Sequence, residues 1–215
     1  MKRVSTNRAG FTFVEMMIGV VILTIIAGTI AVVSKTGTGT FRSSVANESV
    51  NGKLRRAIQR IAKELSGSAT STLVPTPFAP LGSSSLTFQQ ATGYENGAAV
   101  WGPSVQFQFE YAPQELDNGV DDDGNGLIDE GILVRIENPG AANESRTLIC
   151  TGVSEYALDE IPNGLDDNGD GFVDERGVAF ALDGDALTVR ITIEHMGLEQ
   201  EVLQQSSETT VLLRN

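Results

Sequence analysis

Residues 11–33, FTFVEMMIGVVILTIIAGTIAVV, form an apolar run interrupted by one charge, Glu15. As a helix rising 1.5 Å per residue, this run is long enough to cross a hydrocarbon core of about 30 Å. The ten residues before it are short, polar and basic, with Lys2, Arg3 and Arg8, and the next basic residue after it is Lys35. That asymmetry predicts a single-pass anchor with its N-terminus in the cytoplasm. A cleaved secretory signal would have a shorter apolar core followed by a small-residue cleavage site, of which Ala27-Gly28 is a poor version.

Glu15 is the informative residue. A carboxylate inside an apolar span costs about 2.5–3.5 kcal/mol at mid-helix on the insertion scale and usually has a partner. It stands in Gly10-Phe11-Thr12-Phe13-Val14-Glu15, with a small residue just before the span. This arrangement resembles the type IV prepilin signal of type IV pilins and type II secretion pseudopilins. The resemblance implies a bacterial inner-membrane precursor that prepilin peptidase cuts after Gly10. The new Phe11 amine is then methylated and the apolar helix is retained. It also implies that Glu15, the fifth mature residue, faces the Phe11 amine of a neighbouring subunit in a periplasmic or cell-surface filament. A negative side chain in a first helical turn also suits the helix dipole. The chain departs from many major pilins in having no proline within residues 11–66.

After a polar, glycine-bearing join at residues 34–40, a helical pattern runs from Phe41 to Leu65, with Val50, Leu54, Ile58, Ile61 and Leu65 on one stripe. The resemblance implies one long helix, whose outer half packs on a sheet. The residues alone equally allow two helices broken at 36–40. Gly67, a Ser/Thr run and Pro75, Pro77 and Pro80 end the helical stretch. The period then changes to two. Val105, Phe107, Phe109 and Tyr111 alternate with polar residues. Other strand candidates are 85–89, 132–137, 146–150, 153–158, 178–182, 187–194, 199–205 and 209–214. They are too closely spaced for βαβ units, so the expectation is an α+β fold, a helix on an antiparallel sheet. The expected organisation is a leader 1–10, a helix 11–66 with membrane segment 11–33, and a head 67–215. The tail is similar to J-type pseudopilins and W-type minor pilins.

Charge sharpens the picture. Against 15 Lys and Arg stand 28 Asp and Glu, a net −13, which argues against nucleic acid and anionic lipid as partners. Half of the acids lie in two windows, 115–130 and 159–175, which contain no Lys or Arg. The windows contain an internal repeat. Asn118 to Glu130 aligns without gaps with Asn163 to Glu175, offset by 45 residues. Clustered carboxylates repel unless a cation compensates, and calcium accepts six to eight oxygens at about 2.3–2.6 Å. Asp121, Asp123, Asn125 and Gly126, and likewise Asp166, Asn168, Asp170 and Gly171, fit positions 1, 3, 5 and 6 of an EF-hand loop. The carbonyls of Leu127 and Phe172 then fall at position 7, and Asp129 and Asp174 at position 9. The match fails at position 12, where Ile132 and Gly177 replace the bidentate glutamate, and the flanks read as strands. These are therefore expected to be calcium loops of another kind, two in number, closed by Glu130 and Glu175 or by Asn118 and Asn163. Magnesium, which keeps its waters, fits less well. The bland reading is two solvated acidic turns.

No catalytic constellation is legible. His195 is the only histidine and Cys150 the only cysteine, the latter in an apolar strand where it reads as a small hydrophobe. An all-acidic loop offers no apolar pocket to raise one acid's pKa, and Trp101 reads as core. With one cysteine, no internal disulfide can staple the head, a role that bound metal can take over. The expectation is a non-enzymatic minor pilin-like subunit whose partners are prepilin peptidase, the inner membrane and other pilin or pseudopilin subunits. The alternative is a membrane-anchored calcium-binding protein that does not polymerise.

Overall fold

The computed structural model describes the backbone of residues 10, 12–197 and 200–214, and their side chains except 36–43 and 46. The chain divides into two compact units, Met1–Val45 and Ala46–Asn215. Phe11 and the leader residues 1–9 lie outside the described residues.

Helix α1 spans Phe13–Leu65, so the backbone remains helical through the glycine-bearing join at 34–40. Its start is a capping box. The Thr12 hydroxyl accepts from the Glu15 N–H at 3.2 Å, and a Glu15 carboxylate oxygen accepts from the Thr12 N–H at 2.8 Å. In the first unit the helix carries a long apolar segment. Residues Phe13–Lys35 contain an 18-residue stretch with a mean hydropathy of 2.7, none of it buried. By length and composition this segment can cross a membrane.

In the second unit the same helix becomes amphipathic. Val50, Leu54, Ala57, Ile58, Ile61 and Leu65 are buried in the core, as the four-and-three spacing predicts. Arg135 donates to Glu64 at 2.6 Å, and the Gln90 amide donates to the Glu64 carbonyl at 2.7 Å, which ties this end of the helix to the strands. Ile61 is fully buried, and Ile61→Val should cost about 1 kcal/mol. That lowers the melting temperature by roughly 2–4 °C in a unit of this size, readable by calorimetry.

The strands are β1 (Ser85–Glu95), β2 (Ala98–Tyr111), β3 (Gly131–Glu137), β4 (Ser145–Val153), β5 (Val178–Asp183), β6 (Ala186–Met196) and β7 (Val202–Leu212). They form one antiparallel sheet in the order β1-β2-β3-β4-β6-β5, with β7 on the other side of β6. Two meanders therefore meet at a seam. There β4 and β6 pair only at Val153 and Ile193, a junction reinforced by the Ser154 N–H donating to the Thr192 carbonyl. The segment before β1 runs along β5, with Ser83 and Phe180 exchanging both backbone hydrogen bonds. Gly82 makes this possible, because its φ is +72° and a Cβ there would collide with the Phe180 carbonyl. Phe107 stacks on Phe88 at 5.3 Å and on Phe180 at 6.2 Å, joining the two meanders through the core.

Three local expectations change. Residues 154–158 are not a strand, because the chain leaves the sheet after Val153 to enter the second acidic segment. The two tail candidates merge into β7, since Ser206-Ser207-Glu208 contains no glycine or proline and pairs continuously with β6. Trp101 is half-buried on the β1–β2 hairpin and does not belong to the core.

Candidate functional site: two acidic loops

The first acidic segment connects β2 to β3 and the second connects β4 to β5. Each is closed at the neck in the same register. Tyr111 pairs with Gly131, and Tyr156 with Arg176. The Ala112 N–H donates to the Glu130 carbonyl, and the Ala157 N–H to the Glu175 carbonyl. The repeat is therefore longer than the Asn-Gly-Asp core suggests. It begins at Tyr111-Ala112 and Tyr156-Ala157 and takes in Glu115 and Glu160 at the same offset of 45.

Inside the loops the side chains at the first three predicted positions each hold backbone N–H groups of the turn. Asp121 accepts from the backbone N–H groups of Gly124, Asn125 and Gly126 at 2.7–3.1 Å, and Asp166 does the same for Gly169, Asp170 and Gly171. Asp123 and Asn168 each accept from the residue two further on, as do Asn125 and Asp170 from the N–H groups of Leu127 and Phe172. Gly126 and Gly171 have φ of +91° and +96°, the left-handed turn that their position demands. The Leu127 side chain is buried and that of Phe172 is half-buried.

Asp129 and Asp174, expected at position 9, fasten the loop backbone, and one Asp129 oxygen also lies within 4.8 Å of oxygens of Asp117 and Glu155. The Asp129 and Asp174 carboxylates accept from the N–H groups of Asn118 and Gly119, and of Asn163 and Gly164. They fasten the start of each loop to its end. The Asn118 and Asn163 amides donate to Asp122 and Asp167, which occupies them within the loop.

The acids divide: Asp122, Asp123, Asp166, Asp167 and Asp170 are exposed, whereas the glutamates are withdrawn from solvent. Glu115, Glu130, Glu160 and Glu175 are 3–5 % exposed. One oxygen of Glu115 accepts from the Asp122 and Asp123 N–H groups, and one of Glu130 accepts from the Asn125 amide. The second oxygen of Glu115, the second oxygen of Glu130 and both oxygens of Glu175 have no hydrogen-bond partner. Burial pushes the Glu130 carboxyl above the usual carboxylate range, and the nearby Glu115 and Asp123 charges push it further. Burial likewise raises Glu175, with Asp170 and Glu160 adding to the effect.

One oxygen each of Glu115, Asp123 and Glu130 lie within 4.8 Å of one another. Two oxygens bound to one calcium at 2.3–2.6 Å are at most about 5 Å apart, so one cation can reach all three oxygens. Without a counter-ion, each carboxylate pair at that distance repels by about 3 kcal/mol at an effective dielectric near 20, before screening at exposed Asp123 reduces it. Buried acceptors with no donor, in a donor set made only of oxygens, fit a hard divalent cation.

The loops also touch each other and the far meander. The Tyr111 hydroxyl donates to Glu155 at 3.0 Å, and Glu155 pairs with Arg176. A side chain at Gly126 would meet Met196 at the end of β6. Of the residues set aside for catalysis, Cys150 is buried and burial raises its thiol pKa, while His195 is half-buried on β6.

The N-terminal site is built on the start of α1, where Gly10 is exposed and Glu15 caps its own helix. Residues 5–31 match the prokaryotic N-terminal methylation motif. The motif implies a type IV pilin-like precursor processed by prepilin peptidase, a structural class and not an enzymatic one. Neither the curated proteins nor the solved structures compared with the chain give a match.

Proposed function

We propose that this chain is a minor pilin-like subunit, cut after Gly10 and built into a type II secretion pseudopilus or a type IV pilus, with a head stabilised by calcium in its two loops. The methylation motif running directly into a long apolar helical segment carries the first half of this reading. Once the basic leader is removed, the chain begins with a Phe11 amine four residues before the Glu15 carboxylate, opposite charges suited to pairing between neighbours. The helix 13–35 serves first as a single-pass inner-membrane anchor and then as the packing element of the filament.

The unpartnered oxygens of Glu115, Glu130 and Glu175 support the calcium half. Isolated charges at such depth cost several kcal/mol, which a bound cation offsets. Free calcium is scarce in the cytoplasm, so the head would be locked only after export. The mass of the N-terminal peptide from membranes and sheared filaments tests the assembly half. Methylated Phe11 is the expected terminus. An intact Met1 terminus in both fractions would instead favour the membrane-anchored calcium-binding protein that never polymerises.

A further inference from the structure

The loops lack the glutamate that closes an EF-hand shell, because Ile132 and Gly177 stand at position 12. Two observations show where a replacement comes from. Glu115 precedes Asp121 by six residues, yet it is 5 % exposed and its second oxygen is unpartnered. It also lies within 4.8 Å of an oxygen of both Asp123 and Glu130. We infer that Glu115 and its counterpart Glu160 close the cation shells from outside the Asp/Asn/Gly run, and that the Glu115 site is the tighter of the two. This rests on the calcium reading above.

The asymmetry follows from what each glutamate already does. Glu115 uses one oxygen to hold the Asp122 and Asp123 N–H groups and keeps the other free. Glu160 uses both, accepting from the Asn168 N–H with one and from the Asp174 N–H with the other, each at 3.0 Å. Ligation by Glu160 must therefore share or break a loop hydrogen bond, whereas ligation by Glu115 need not. Position 3 reinforces the difference, since Asp123 brings a carboxylate into the first site where the second has the Asn168 amide. Asp129 and Asp174 are assigned to positioning, because their carboxylates fasten the start of each loop to its end.

Isothermal titration with calcium tests this on the head unit, residues 42–215, which contains every buried core residue. The wild-type head should take up two ions in two resolved steps. Glu115→Gln should remove the tighter step or weaken it at least tenfold. It should also leave the melting temperature in chelator unchanged or slightly raised, because glutamine keeps the N–H acceptor and removes a repelling charge. Asp129→Asn should do the opposite, lowering the chelated melting temperature while keeping calcium affinity within a few-fold. Wild-type binding by Glu115→Gln, or its failure to fold even in chelator, overturns the assignment. If the wild-type head takes up no calcium, the calcium reading itself fails.

Discussion

Saturating calcium is expected to raise the melting temperature of the metal-free head by roughly 10–20 °C, and EGTA should reverse the rise. Each site held at 100 times its dissociation constant adds about 2.7 kcal/mol to the folded state, and a unit of this size gains about 2–4 °C per kcal/mol. The effect should be global because of where the loops sit. Beside the second loop's neck, Ser154 hydrogen-bonds across the seam to Thr192, and the first loop reaches Met196 on β6. A cation in either loop thus stiffens the junction between the two meanders, the part of the sheet with least ladder pairing of its own. Differential scanning calorimetry with and without EGTA reads this directly. An unchanged melting temperature, with no metal in the protein as purified, would sink the calcium reading.

The second large effect concerns Glu15. Glu15→Gln should leave cleavage after Gly10 intact but reduce incorporation into filaments at least tenfold, measured by immunoblot of sheared fractions. Glutamine is the right substitution because the structure assigns Glu15 a local task as well, reaching back to the Thr12 N–H. A glutamine can still do this, since capping boxes accept either residue. Alanine would confound the result by also removing the cap, worth about 0.5–2 kcal/mol. If Glu15→Gln assembles normally, the carboxylate serves the helix start and not the neighbouring amine.

The parts of this architecture written in short-range patterns were legible in advance. The buried stripe Val50, Leu54, Ile58, Ile61 and Leu65 followed from helical spacing, and the inward positions Val105 and Phe107 from alternation. What escaped is non-local. No pattern in 148–153 or 187–194 reveals that β4 and β6 meet at a single pair, because strand pairing depends on contacts distant in sequence. The continuity of α1 through 34–40 was equally hidden, since isolated glycines and threonines lower helix propensity without forbidding the helix. Glu115 and Glu160 were missed for a different reason. They lie outside the Asp/Asn/Gly core, and only extending the repeat back to Tyr111 and Tyr156 exposes them. The burial of the glutamates was invisible to composition, which counts charges and not the ring of backbone N–H groups around them.

The matched necks have a consequence for how such loops spread. Because the Ala112 and Ala157 N–H groups close each loop onto its own last glutamate, the strands on either side need supply only one paired position. A twenty-residue segment of this kind is a self-contained cassette. The same neck serves two different strand connections of this sheet, β2 to β3 and β4 to β5. By the same logic, replacing residues 112–130 with a tight turn should leave β2 and β3 in register, and a third copy could be grafted at any antiparallel connection with a free neck.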